Sequence, residues 1–147
     1  QWAAYPTKVG KAKVSLFVKV GGKRTKMGDI DFRVMRTPPP SPFVLGIKNG
    51  RIDRATLLAS GGILASLDNF VFDGLKYYVT SFKLSGQYQG EKVDRTNNNG
   101  MNFTKQMRGV ISNSKSGDEI QITKIKAKLV GSKEPPININ DLVVEIK

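Results

Sequence analysis

The sequence predicts a mainly β chain of α+β type, in which part of one β domain is joined to a β-sandwich-like domain with two short helices. Three observations carry that expectation. Apolar residues alternate in steps of two along most of the chain, the signature of half-buried strands. Helical spacing is confined to short stretches after Asp53 and Thr104. Thr37-Pro38-Pro39-Pro40-Ser41-Pro42 then breaks the strand pattern with prolines, which fix φ and bring no amide hydrogen to a ladder. Prolines also push their predecessors toward extended geometry, so residues 37–42 read as a stiff spacer between residues 1–36 and residues 43–147.

In the first segment, Val14, Leu16, Val18 and Val20 alternate with Ser15, Phe17 and Lys19. Gly21-Gly22 supplies the positive φ angles of a tight hairpin. Ile30, Phe32 and Val34 alternate with Asp31, Arg33 and Met35 on a return strand. Two such strands hold too little core to stand alone. They must pair with chain outside this sequence, with the second domain, or with another copy of themselves.

Beyond the prolines, Phe43 to Ile47 reads as a short extended piece and Lys48-Asn49-Gly50 as a turn. Asp53 is placed to cap a brief helix through Leu57 and Leu58, which stops at Gly61-Gly62. Ile63, Leu64 and Leu67 lead into Phe70-Val71-Phe72, bracketed by Asp68-Asn69 and Asp73-Gly74. Tyr77 to Tyr88 gives the longest strand signal. Its alternation puts Tyr77, Val79, Ser81 and Lys83 on one face, and Tyr78, Phe82 and Leu84 on the other. Asn97-Asn98-Asn99-Gly100 is a loop by composition. Thr104 caps a helix in which Met107, Val110 and Ile111 fall at i, i+3 and i+4. Ile120, Ile122 and Ile125 begin another strand pair, and Leu142 to Ile146 closes the chain.

The 147 residues include neither Cys nor His. That removes thiol nucleophiles, imidazole bases, zinc fingers and His- or Cys-ligated haem. No run approaches the length of a membrane span, and a chain beginning with Gln reads as a piece of a longer protein. Asp29 with Asp31, Asp68 with Asp73, and Asp118-Glu119 lack the spacing of a calcium loop and suit turns and strand surfaces. The glycines follow a helix instead of preceding one, so they form no phosphate cradle. A Ser–Lys dyad could be drawn only from Ser112, Ser114, Lys115 and Ser116, where a helix end explains them. Lys76, Tyr77, Tyr78, Phe82, Lys83 and Tyr88 mix basic and aromatic residues, but alternation buries half of them, which suits core plus interface better than base stacking. The expectation is no catalytic residue, no metal ligand, no cofactor and no enzyme activity.

The formal charge is +12, and it is uneven. Residues 1–36 hold nine Lys/Arg against Asp29 and Asp31, a local excess of seven. Such a surface favours acidic partners, or simply guards a strand edge. In the second domain Arg51, Arg54, Lys92 and Arg95, at predicted loops, are the candidate protein-contact residues. The rival reading from charge is a basic module for anionic glycan or nucleic acid, whose binding would weaken steeply with salt.

Longer stretches then resemble a known family. Phe32-Arg-Val-Met-Arg-Thr-Pro-Pro-Pro and Gly61-Gly-Ile-Leu-Ala-Ser-Leu-Asp-Asn-Phe-Val-Phe-Asp73 are similar to the C-terminal region of the GldM/PorM proteins. So are Asn99-Gly-Met-Asn-Phe-Thr-Lys-Gln-Met-Arg and the Lys115 to Lys128 run. The likeness covers residues 12–147 and is greatest to the PorM type, from the non-gliding secretion system. It implies that residues 1–36 are the last strands of a penultimate Ig-like β domain, and that residues 43–147 are the terminal domain. It further implies a homodimeric, periplasmic stalk segment of an inner-membrane-anchored component of type IX secretion and gliding motility. An L-type partner would meet the missing N-terminal part, which also carries the membrane helix. The distal end would dock on outer-membrane-associated ring proteins of the K and N type, with no nucleic acid involved. The resemblance brings no residue-level binding set.

Overall fold

The computed structural model describes residue 6 and residues 8–68 and 75–147. The expected Phe70-Val71-Phe72 segment, with Asn69, Asp73 and Gly74, lies outside the described residues. The chain divides into two compact units, residues 1–38 and 39–147.

The first unit is an antiparallel hairpin of β1 (Gly10–Val20) and β2 (Lys23–Val34). Gly21 at φ 56° and Gly22 at φ 83° make the two-residue turn, a conformation that side chains with a Cβ resist. The register pairs Ala12 with Phe32, Val14 with Ile30 and Leu16 with Gly28, then slips past Leu16/Phe17. Paired residues share a face, so one side of the ribbon is apolar from Ala12 to Leu16 and from Gly28 to Phe32, with Thr25 and Lys23 joining it nearer the turn. The other carries Lys11, Lys13, Ser15, Asp29, Asp31 and Arg33. There Asp29 accepts from Ser15 Oγ and Lys26 Nζ, each at 2.6 Å. Hydrogen bonding by Lys26, then by Ser15, holds the Asp29 carboxyl below its ordinary range. Arg24 lies over the Phe17 ring at 3.9 Å. The apolar side is exposed: Leu16 by 63%, Ile30 by 62% and Phe32 by 51%.

The second unit is built on one large sheet. Its strands are β4 (Gly50–Ile52), β6 (Tyr77–Tyr88), β7 (Glu91–Asn97), β8 (Glu119–Leu129), β9 (Ile137–Asn138) and β10 (Leu142–Ile146). They run in the order β4-β10-β8-β6-β7, with β9 on β8. Among the described residues of this sheet only β4 and β10 pair in parallel. Among the described residues, a ribbon of β3 (Ser41–Phe43) and β5 (Leu64–Ser66) and the helices α1 (Arg54–Ser60) and α2 (Lys105–Asn113) make up the rest of the unit. The mainly β architecture with two short helices is thus as the sequence predicts. The layer opposite the large sheet, as far as the described residues go, is made of two helices and a ribbon. Pro40 and Pro42 are buried, and Ser41-Pro42-Phe43 pairs with β5, so the second unit begins inside the proline segment. Pro42 is tolerated because β3 is an edge strand.

Thr104 caps α2 as expected, its Oγ1 accepting from the Met107 amide at 3.2 Å, and Met107, Val110 and Ile111 are fully buried. Asp53 occupies the N-cap of α1 without a side-chain bond, and Gly61 ends that helix in the left-handed region. The expected turn at Lys48-Asn49-Gly50 is displaced: the tight reversal is Val44 to Ile47, around Leu45 and Gly46, both at positive φ. α2 packs so closely on β6 that a Cβ on Gly86 would stand 2.7 Å from Ile120 Cδ1 and 2.8 Å from Val110 Cγ1. Phe82 and Phe103 meet edge to face at 6.1 Å within one continuous core.

The expected faces of β6 need correcting. Val79 is buried with Phe82 and Leu84, not exposed with Ser81 and Lys83. Simple alternation fails because the β6–β8 register slips twice, between Val79 and Ser81 and again between Ser81 and Lys83. The first slip adds a residue to β6 at Thr80. The second adds one to β8, where Lys124 sits at φ 51°. Each strand changes phase once, so Ile120, Ile122, Ile125 and Ala127 of one continuous strand all point into the core.

Candidate functional site

The two slips shape the open face of the large sheet. After Ala127 and Ile125 turn inward, Lys126 pairs with Ser81 on the outer side, and Lys83 pairs with both Thr123 and Thr96. The left-handed Lys124 is exposed beside them. Ser81, Phe82, Lys83, Thr96, Asn98, Lys124 and Lys126 line a depression of about 220 Å³. A β-branched or bulky residue at φ 51° would be strained, and even lysine pays for the conformation, which places its ammonium here.

Among the described residues, Lys83 is the one lysine of this group with a carboxylate partner. Its Nζ lies 2.6 Å from Asp94, which also accepts from Ser85 Oγ at 2.6 Å. Hydrogen bonding by Lys83, then by Ser85, keeps the Asp94 carboxyl below its ordinary range. Lys124 and Lys126 make no ion pair among the described residues. Along the same strands lies a second depression of about 310 Å³, lined by Ser85, Gly86, Gln87, Lys92, Gly117, Asp118, Glu119 and Gln121. Its lining acids outnumber its base, with Asp118 and Glu119 against Lys92. The open face therefore has a cationic end and a weakly anionic end, divided by the Lys83–Asp94–Ser85 cluster.

The four residues expected in loops all lie in regular elements. Arg51 is in β4 and pairs with Glu145 at 2.9 Å. Arg54 opens α1 and donates from Nη1 to the Ser114 carbonyl at 3.0 Å, tying the two helices. Lys92 and Arg95 are both in β7 but on opposite faces, since Lys92 pairs with Gln87 and Arg95 with the buried Leu84. Arg51 and Lys92 stand on opposite edge strands of the sheet. The four do not converge. Lys83, Lys124 and Lys126 do, and alternation alone does not single them out. The signal that could have found them is a pair of three-residue intervals, Val79 to Phe82 and Ile122 to Ile125, inside strands that otherwise step by two.

Other candidate groups have local structural partners. Ser114 Oγ donates to the Val110 carbonyl at 3.0 Å inside the helix end, and Asp118 accepts from the Lys115 amide at 2.7 Å. Asp68 takes Ser41 Oγ at 2.6 Å and an ion pair from Lys48, which hold its carboxyl below the ordinary range with Lys48 the larger cause. Asp29 and Asp31 share a face as expected and both lie 3.8 Å from Lys13. Asn97, expected in a loop, ends β7, where its Nδ2 donates to the Gly100 and Asn102 carbonyls at 3.2 and 2.6 Å. Among the described residues no group of three or more acidic, His or Cys side chains could hold a metal. No helix among them is long and apolar enough to cross a membrane.

A search of curated proteins finds no match. A protein family, described as the GldM C-terminal domain, matches residues 38–147. The match takes in the whole second unit, including the open face and its two depressions. On that extent the chain belongs to the GldM family, of which it carries the C-terminal domain.

Proposed function

We propose that this chain is a non-enzymatic periplasmic stalk segment of an inner-membrane type IX secretion motor component, which dimerises and docks on outer-membrane-associated ring proteins. Membership of the GldM family makes it part of a type IX secretion or gliding-motility component. The finer reading rests on the hairpin. A ribbon with an exposed apolar patch on one face, here Val14, Leu16, Ile30 and Phe32, is stable only when another polypeptide surface covers it, because a two-stranded sheet holds little stability of its own. A second copy can do so about a two-fold axis, through the apolar face or through the free edges of β1 and β2. Proline spacing between the units suits transmission of displacement better than a Gly/Ser linker would.

Two measurements test it. Light scattering of the chain at high concentration should give the mass of a dimer, and a monomer under those conditions contradicts the association. Purified K- and N-type ring proteins should capture the chain at low salt, and failure to do so removes the docking.

A further inference from the structure

We infer that the open face of β6, β7 and β8 is the docking surface, and that it takes a protein segment carrying carboxylates at one end and a basic residue at the other. The carboxylates seat on Lys124 and Lys126, beside the Asp94-paired Lys83, with Ser81 and Thr96 hydroxyls and the Asn98 amide as neutral donors in the same depression. The basic residue faces Asp118 and Glu119. Lys126 and Glu119 are seven residues apart on β8, which sets the two ends about 20 Å from each other at strand rise.

Charge complementarity selects this occupant. Asp94 offsets one of the three lysines, leaving an excess of two positive charges in the first depression and one negative charge in the second. A polyanion, whether nucleic acid or an anionic membrane, would gain at the first end and be repelled at the second. Nucleic acid would also want stacking rings, and the one aromatic residue lining the cationic depression, Phe82, is only 1% exposed. A protein segment can present both signs at the required spacing. Lysines suit carboxylates that need no bidentate fork, and with Asp94 already on Lys83 the two unpaired ammonium groups are those available. The conformational cost at Lys124 is the price of bringing a second unpaired ammonium to this depression.

The inference rests on the docking reading, yet the two fail separately. The experiment titrates the isotope-labelled chain, followed by NMR, with a synthetic peptide of about ten residues bearing Glu-Thr-Glu at one end and Lys-Thr-Lys at the other, long enough when extended to span both ends. An isomer with the charges interleaved, inorganic phosphate and phosphatidylglycerol vesicles are the comparison probes. The ordered peptide should shift Lys83, Thr96, Lys124, Lys126 and Glu119 together, and bind about tenfold tighter than its isomer, a difference of about 1.4 kcal/mol. The exposed pair Lys124→Glu/Lys126→Glu should abolish those shifts while leaving the remaining spectrum in place. Equal response to the isomer, to phosphate or to vesicles overturns the inference in favour of general anion attraction, and no response overturns it outright. Capture by ring proteins that survives Lys124→Glu/Lys126→Glu excludes this face and leaves docking intact. No capture of the unaltered chain removes docking itself.

Discussion

Gly86→Ala tests how the helix layer is held on the sheet. The added Cβ would lie 2.7 Å from Ile120 Cδ1 and 2.8 Å from Val110 Cγ1, inside contact distance for both. Neither neighbour has room to retreat, because Ile120 and Val110 are both fully buried. Overpacking of this kind costs about 1–3 kcal/mol. Leaving glycine in a strand recovers about 0.5–1 kcal/mol of backbone entropy, so the net destabilisation should fall between about 0 and 2.5 kcal/mol. Urea unfolding followed by circular dichroism should show a lower midpoint at unchanged slope. The cause is checked by Ile120→Val, which deletes the clashing Cδ1 methyl and alone costs about 0.5–1.5 kcal/mol. The double variant should be more stable than the sum of the two losses by at least about 0.5 kcal/mol, as expected for residues in contact. Strict additivity with Ile120→Val, whatever the size of the single effect, would refute the proposed packing of α2 against β6 and β8.

Asn97→Ala should lower stability by about 1–3 kcal/mol in the same assay, since the Gly100 and Asn102 carbonyls lose their Nδ2 donor and the Asn99 amide loses its Oδ1 acceptor. Asp94 is depressed by Lys83 and Ser85, so the stability it contributes is present above the ordinary carboxylate value of about 3.9 and is lost as pH falls below it. Asp94→Asn should therefore flatten part of the decline in thermal midpoint below about pH 4, and an unaltered acid limb would show that the pair adds nothing. Leu16→Lys with Ile30→Lys places two charges on the apolar side of the hairpin. It should turn a dimer into a monomer by light scattering without moving the urea midpoint of the second unit, whereas an undisturbed dimer would place the interface elsewhere.

Much of the fold was legible because its causes are local. The Gly21-Gly22 turn, the Thr104 cap and the 107–110–111 stripe each follow from a few adjacent residues, and each stands where local rules put it. Pairing is not local. The slips at Thr80 and Lys124 follow from how β6 and β8 fit each other over a shared core, so reading either strand alone assigns Val79 to the wrong face. The reversal at Leu45-Gly46 is not legible in the sequence because a leucine rarely takes positive φ, and here the bridge between Val44 and Ile47 imposes it. Charge is usual in loops, which is where the sequence places the candidate arginines and lysine. Two belong to edge strand β7, one to β4 and one to the start of α1, where Arg54 spends its guanidinium on a helix end.

The paired slips link fold to function more closely than the charge total does. A slip in β6 alone would leave Phe82 and Leu84 facing the core while β8 kept its earlier phase, with Ile122 and Ile120 turned to solvent. The second slip restores the core, and at that point β8 must carry an extra residue that has no partner across the ladder. In this chain the residue is a lysine, standing between Lys83 and Lys126 on the exposed side. Since the backbone requires only an extra position there, glycine would fill it at lower conformational cost. Lys124→Gly thus separates the two roles: it should leave stability equal or higher while weakening binding of the charge-ordered peptide. Lower stability with unchanged binding would mean that the lysine serves the sheet and not a partner.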